Sequence, residues 1–259
     1  MDRIYFKTRA KQVLQNNFWY LVGIILIVAL LSLDLIGASY ETIINANGYS
    51  EMQIVFHIFN FDFNYSTYKA SAFVVAIALI NFLFAVFVTP VLNYGKNNIF
   101  KYASMGRIHE MNLFDGFKNN YGRIVTVNVV KSIVIFGYTL LFIIPGVIKL
   151  YELRFTNEIL EEHPDWGYQE VFAESKRLTE GLKMELFVLD LSFFGWALVA
   201  AVLSTFTLGL ASYAFNTYPE ATNAEVYLWL KQGRKDLYSN ANVFETEVNE
   251  TYVNEDNLY

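Results

Sequence analysis

Four stretches of this chain are apolar for twenty residues or more, and most of its charge is clustered between them. They cover residues 18–38, 70–93, 124–144 and 184–218. A helix needs about 20 apolar residues to cross the hydrocarbon core of a bilayer. The first three stretches are long enough to cross once each. The fourth is too long for one crossing and marginal for two, and Thr205, Thr207 and Gly209 interrupt it at a place suited to a tight turn. Inside a bilayer only helices and closed barrels satisfy their own backbone polar groups. The pattern therefore predicts an all-α fold: a polytopic transmembrane helical bundle.

Composition agrees. Of the 259 residues 54% are apolar and 17% aromatic, and a soluble domain this apolar would lack polar surface to cover itself. The formal net charge of -6 argues against nucleic acid as a partner, which calls for a basic surface. There is no cysteine, which excludes disulfides, thiolate metal sites and a cysteine nucleophile. A basic arm, 1–17, precedes the first apolar run, as in a cleaved signal peptide. That run is longer than a usual signal core, and Ala38-Ser39-Tyr40 is a poor cleavage site. We expect a retained transmembrane helix.

A weaker segment, 147–159, follows Pro145-Gly146 and carries Lys149, Glu152, Arg154 and Glu158. Lys149 and Glu152 are three apart and Arg154 and Glu158 four apart, so each pair shares a helical face. Two readings stand: an interfacial amphipathic helix, or a short crossing helix inside a bundle, where such charges face protein, water or each other.

Three stretches, 10–19, 113–123 and 174–183, share a pattern of short polar helix with basic residues, then Gly or Asn, then an apolar helix. Gly and Asn suit helix ends because they tolerate the left-handed conformation. The pattern describes an elbow in which amphipathic helices over 4–15, 111–119 and 168–180 lie along the cytoplasmic interface. Three equivalent elbows on one side require six helices as three hairpins, with 147–163 crossing and the long tract dividing near 203–209; four helices are the alternative. Short basic loops stay in the cytoplasm. Arg3, Lys7, Arg9 and Lys11; Lys96, Lys101, Arg107, Lys118 and Arg123; and Lys176, Arg177 and Lys183 then fall together, with both termini cytoplasmic. Residues 1–235 form the membrane domain. The acidic, Asn-rich segment 236–259 has no packing period and is expected to be a disordered cytoplasmic tail.

The stretches LFDGFKNNYGR (113–123), FIIPGVIKLY (142–151), ESKRLTEGLK (174–183), LFVLDLSFFGWAL (186–198), TLGL (207–210) and YPEATNAEVY (218–227), with the basic AKQVLQNNFW start, resemble the bacterial integral membrane proteins of domain of unknown function family 975. The resemblance runs over nearly the whole chain and implies a bacterial cell membrane. More distantly, the pattern is similar to six-helix membrane domains fused to some phosphodiesterases. That likeness implies the three-hairpin architecture and brings no catalytic residues. The family has no assigned activity to carry over.

No P-loop, HExxH or G-x-S-x-G motif is present. His57, His109 and His163 are far apart and lack metal-ligand spacing. We expect no catalytic, cofactor or metal site, and no enzyme. The candidate residues are the intramembrane polar groups Lys131, Glu152, Arg154, Glu158 and Asp190, with Pro145 and Gly146 as a helix break joining two helices. Lys131 and Asp190 each sit about two turns into an apolar helix and are expected to pair; Arg154 is expected beside Glu158. Asp34, near the outer end of the first helix, is expected to be wet. Gly137, Gly195 and Gly209 are expected to let helices approach closely. The alternation in 59–65 is a strand signal or an aromatic anchor at the outer interface. Two functions survive: a non-enzymatic scaffold, assembly or immunity-type partner, or a small-solute, lipid or peptide transporter or channel. Expected partners are the lipid bilayer and another membrane protein or a second copy.

Overall fold

A computed structural model describes residues 1–32, 36–44, 50–58, 61–66 and 70–255, with side chains over 1–32 and 79–233. Asp34 and the side chain of His57 lie outside the described parts. The chain begins with α1 (Arg3–Leu31), capped by Asp2, whose Oδ1 accepts from the backbone N–H groups of Ile4 and Tyr5 at 3.0 and 3.1 Å. Three strands follow, β1 (Ile36–Ile44), β2 (Ser50–Ile58) and β3 (Phe61–Ser66), paired antiparallel in that order. Most of the alternating stretch 59–65 falls in β3. The remaining described elements are all α-helices.

Among the described residues, four helical segments are long and apolar enough to cross a membrane: Arg3–Leu31, Leu79–Ser104, Tyr121–Leu141 and Lys183–Phe206. Each overlaps one of the four apolar stretches of the sequence. The second comprises the C-terminal half of α2 (Ala70–Phe87) and all of α3 (Thr89–Ser104), separated at Val88, where Pro90 sits at the start of α3. The third is α5 (Tyr121–Leu141). The fourth is α9 (Lys183–Leu191) with α10 (Phe194–Phe206). The long tract divides at Thr207-Leu208-Gly209, where Leu208 has φ 53° and Gly209 φ 87°, and the Gly209 N–H donates to Ser204 O at 2.8 Å. Beyond this turn runs α11 (Leu210–Glu255), whose backbone helix passes residue 235 and continues into the acidic segment 236–259 expected to be disordered.

The elbows differ among themselves. Asn120 (φ 60°) precedes α5 and Gly181 (φ 76°) precedes α9, so the left-handed break is present at two of the three expected places. At the first, α1 runs unbroken through Gln15-Asn16-Asn17. No Gly or Pro stands there, and Asn17 turns its amide back to Val13 O within the helix. The second elbow helix is only α4 (Asp115–Lys118); 108–114 is a run of turns whose Met111 and Leu113 are buried. The third is a true amphipathic helix, α8 (Tyr168–Thr179). Its inner face, Val171, Ser175, Leu178 and Thr179, is buried against protein, with the Ser175 hydroxyl donating to Glu152 O at 2.8 Å. Of the three expected amphipathic helices, 168–180 forms a separate helix, 4–15 is helical as part of α1, and 111–119 is helical only over Asp115–Lys118. At the other two places it is the apolar residues that pack within the bundle, Phe6 against Trp229 with ring centroids 5.5 Å apart and Met111 and Leu113 buried.

Between these lie α6 (Ile143–Glu152) and α7 (Thr156–Glu162). Together they double back along α5. Gly146 lies against Thr139, so that a Cβ added to it would be 2.1 Å from Thr139 Oγ1 and 2.8 Å from its Cα. Lys131 Nζ meets Thr156 Oγ1 at 2.9 Å, and Asn128 meets Asn157 at 3.1 Å. Partner numbers fall on one arm as they rise on the other, which is the register of an antiparallel hairpin. Pro145 is accommodated because the helix begins at Ile143, where its missing N–H leaves no intrahelical bond unmade.

The glycines that bring elements together are Gly95, Gly116 and Gly146. A Cβ at Gly95 would be 2.2 Å from Leu113 O, and one at Gly116 2.8 Å from a Val91 methyl. At Gly137 and Gly195 an added Cβ would meet nothing within 4 Å, and Gly209 serves the turn. The close-approach role expected of those three belongs to the other set, because Gly137 and Gly195 fall on faces that no neighbouring helix covers.

Candidate functional site: a polar core between the return arms

Three helices that follow a turn, α3, α7 and α11, run side by side in one direction. Asn98 and Lys101 of α3 meet Asn157 and Glu161 of α7 in the same order, and Arg154 and Glu162 meet Asn223 and Lys231 of α11. α1 lies antiparallel to α11, with Phe6 at Trp229 and Arg9 at Glu225. Each parallel arm presents an asparagine, in Asn97-Asn98, Thr156-Asn157 and Thr222-Asn223. Asn98 donates to Tyr94 O at 3.0 Å and to Asn157 O at 3.3 Å, and Asn128 donates to Asn157 Oδ1. Asn98, Lys101, Thr156, Asn157 and Glu158 are all buried. Buried polar groups of this kind need partners, and most have them.

Asp190 is the acceptor at the centre of the charged part. The Arg154 guanidinium grips it with two bonds, 2.6 and 2.9 Å, and the Tyr151 hydroxyl donates to it at 2.9 Å. Arg154 also donates to Asn223 Oδ1. This joins α6–α7, α9 and α11 through one side chain. The planar fork of arginine suits a carboxylate in a way that a lysine ammonium cannot match. The expected Lys131–Asp190 pair is therefore replaced by Arg154–Asp190, and Lys131 bonds Thr156 instead. The expected Arg154–Glu158 pair also fails. The helix breaks between them, with α6 capped at Leu153 and α7 starting after Phe155, so the four-residue spacing no longer shares a face.

The other spacing holds. Lys149 bonds Glu152 one turn away within α6, and Lys183 approaches the same carboxylate at 2.7 Å. Glu152 is thus held between two cations, one on each side of the contact between α6 and α9. Glu158 is 1% exposed, is attracted electrostatically by Lys131 and Lys101, and keeps one carboxylate oxygen without a hydrogen-bond partner. At the base of the core, Lys101 bonds Glu161 and lies 3.5 Å from Glu162, which Lys231 also bonds. Glu162 thus lies between two cations, one from α3 and one from α11.

Of the histidines with described side chains, His163 stacks on Trp166 at 3.8 Å and His109 meets the Tyr20 ring edge-on. The five candidate residues form one connected neighbourhood around α6–α7. The residues that sequence reasoning missed are Asn98, Lys101, Asn128, Thr156, Asn157 and Asn223. Their signal was available: superposing the three arms on one another, rather than the three elbows, brings Asn98, Asn157 and Asn223 into register.

Residues 120–234 match the model of a protein family described as "Protein of unknown function (DUF975)". The match begins at the left-handed residue before α5 and ends in α11, so it takes in the second and third hairpins. The motifs quoted from 142–227 lie inside it, while the N-terminal part of the resemblance does not. No curated protein and no solved structure matches the chain.

Proposed function

We propose, from a family match confined to the second and third hairpins, that the chain is a six-crossing membrane protein that acts by packing against another membrane protein. It serves as a scaffold, assembly or immunity-type partner rather than as an enzyme. The observation that carries this reading is the closure of its charges on one another. Arg154 is taken by Asp190 and Asn223, Glu152 by Lys149 and Lys183, and Lys131 by Thr156. Groups so engaged lock helices together. A charge at the centre of a crossing helix costs about 2.5–3.5 kcal/mol on insertion scales, so a core of this kind is kept because it holds the arms in register.

Six crossings are supported by the path of α6 and α7. Residues 143–157 retrace α5 from its far end to Asn128, and a segment that returns over that length crosses with its partner. The lysines and arginines of 3–11, 96–123 and 176–183 then lie on the cytoplasmic side with both termini. The membrane is that of a bacterial cell. Outward on the apolar half stand Phe136, Leu140, Trp196, Val199 and Phe206, all exposed in the bundle. Part of this face meets lipid and part meets the partner.

The test is site-specific photo-crosslinking in native membranes, with the probe placed at those five positions in turn. Discrete adducts of a single protein, clustered on one face, are expected. Probes that yield only lipid adducts at all five positions would sink the reading.

A further inference from the structure

Between α1, α3 and α11 lies an open cleft of about 310 Å³, lined by Ile25, Val28 and Ala29 on one wall and by Asn93, Lys96, Asn216 and Glu220 on the other, with Tyr213 and Pro219 beside them. Its two charges, Lys96 and Glu220, bond each other and remain partly exposed, their side chains at 15% and 27%. None of the residues of the Arg154–Asp190 core lines it.

Three features distinguish the cleft from a packing defect. It is mixed in character, with two primary amides and an ion pair facing aliphatic side chains, the combination by which small-molecule sites gain affinity from the apolar wall and orientation from the polar one. It lies along a helix that carries Pro219, which has no N–H and so leaves the Phe215 carbonyl without its helical donor. Pro219 itself lines the cleft. Its volume sits at the lower end of the range for ligand pockets, about 300–1,000 Å³, which limits the occupant to a small solute.

The charge balance selects the chemistry. A cation or an anion entering alone would displace one member of the Lys96–Glu220 pair and leave the other without its partner, a cost that partial exposure reduces and does not remove. A zwitterion inserts without that penalty, its carboxylate going to Lys96 and its ammonium to Glu220. We propose that this cleft is a binding site for a small apolar zwitterion of the α-amino-acid class, held by Lys96 and Glu220, oriented by Asn93 and Asn216, with its side chain against Ile25, Val28 and Ala29. The site stands independently of the partner reading above. A ligand there bridges α1 to α3 and α11, the first hairpin to the third.

The experiment is thermal unfolding of the full chain in detergent micelles, with L-leucine, leucine methyl ester (a cation) and N-acetylleucine (an anion) titrated in parallel. A ligand that binds only the folded state raises Tm in a saturable, concentration-dependent way. Leucine is expected to raise Tm by at least about 2 °C, and the two single-charge analogues to leave it unchanged. Val28→Trp fills the cleft from the aliphatic wall while leaving the ion pair in place. It is expected to fold and to abolish the leucine shift. Glu220→Gln is expected to abolish it as well. No shift with leucine up to its solubility limit overturns the proposal. So does an equal shift with either analogue, or a shift that survives in folded Val28→Trp.

Discussion

Arg154 concentrates the interactions of three helices in one guanidinium. Its two bonds to Asp190 and the third to Asn223 make it the side chain whose loss the bundle should feel most. Because Asp190 is 38% exposed, part of the pair energy is screened. We expect Arg154→Ala and Asp190→Ala each to lower unfolding free energy in detergent by about 2 kcal/mol, with a coupling of about 1–3 kcal/mol between them in a double-mutant cycle. The same cycle for Lys131 and Asp190 should be additive to within about 0.5 kcal/mol. A large coupling there, with none at Arg154, would reverse the assignment.

At the scale of elements, the α5–α6 hairpin depends on the absence of a side chain at Gly146. Gly146→Ala would place a methyl within 2.1 Å of Thr139 Oγ1, close to its backbone, so α6 must move away from α5. We expect a loss of about 1–3 kcal/mol, as for other overpacked sites. Gly137→Ala, on an open face of α5, should be neutral or should stabilise by up to about 1 kcal/mol through helix propensity. Matched unfolding curves for the two variants check the contrast. The hairpin turns were legible in the sequence because Pro145-Gly146 and Thr207–Gly209 are local signals of backbone geometry. The partners across the hairpins were not. Spacing along a helix identifies faces, as it did for Lys149 and Glu152. It fails at Arg154 and Glu158 because a break at Leu153–Phe155, with neither Gly nor Pro to announce it, resets the phase. The first elbow was misread for a related reason: its asparagines permit a break without requiring one, and packing of Phe6 and Ala10 in the bundle keeps α1 straight.

The whole molecule divides into an apolar half, where Leu140, Trp196, Val199 and Phe206 are exposed, and a polar half built around α7, α8 and the nearby part of α11. The position of α8 relative to the bilayer separates six crossings from four. Ser175 is fully buried and would resist any reagent, whereas Gln169 is exposed on the same helix. A single cysteine at Gln169 should resist a membrane-impermeant thiol reagent in intact cells and react once the membrane is permeabilised. Labelling in intact cells would put α8 outside and favour four crossings.

The tether from Arg154 to Asp190 bears on how such a chain is made. Under the six crossings proposed above, the segment 143–162 would enter the membrane with four charges among its first sixteen residues, too many for the insertion machinery to accept it as a lone span. Its counter-charge on α9 lies 36 residues further along. At ribosomal speeds of about 5–20 residues per second, Arg154 waits roughly 2–7 s for Asp190 to be synthesised. On the six-crossing reading the second hairpin is expected to stay half committed at the translocon until the third arrives to neutralise it, so that the arm most central to the finished bundle settles last.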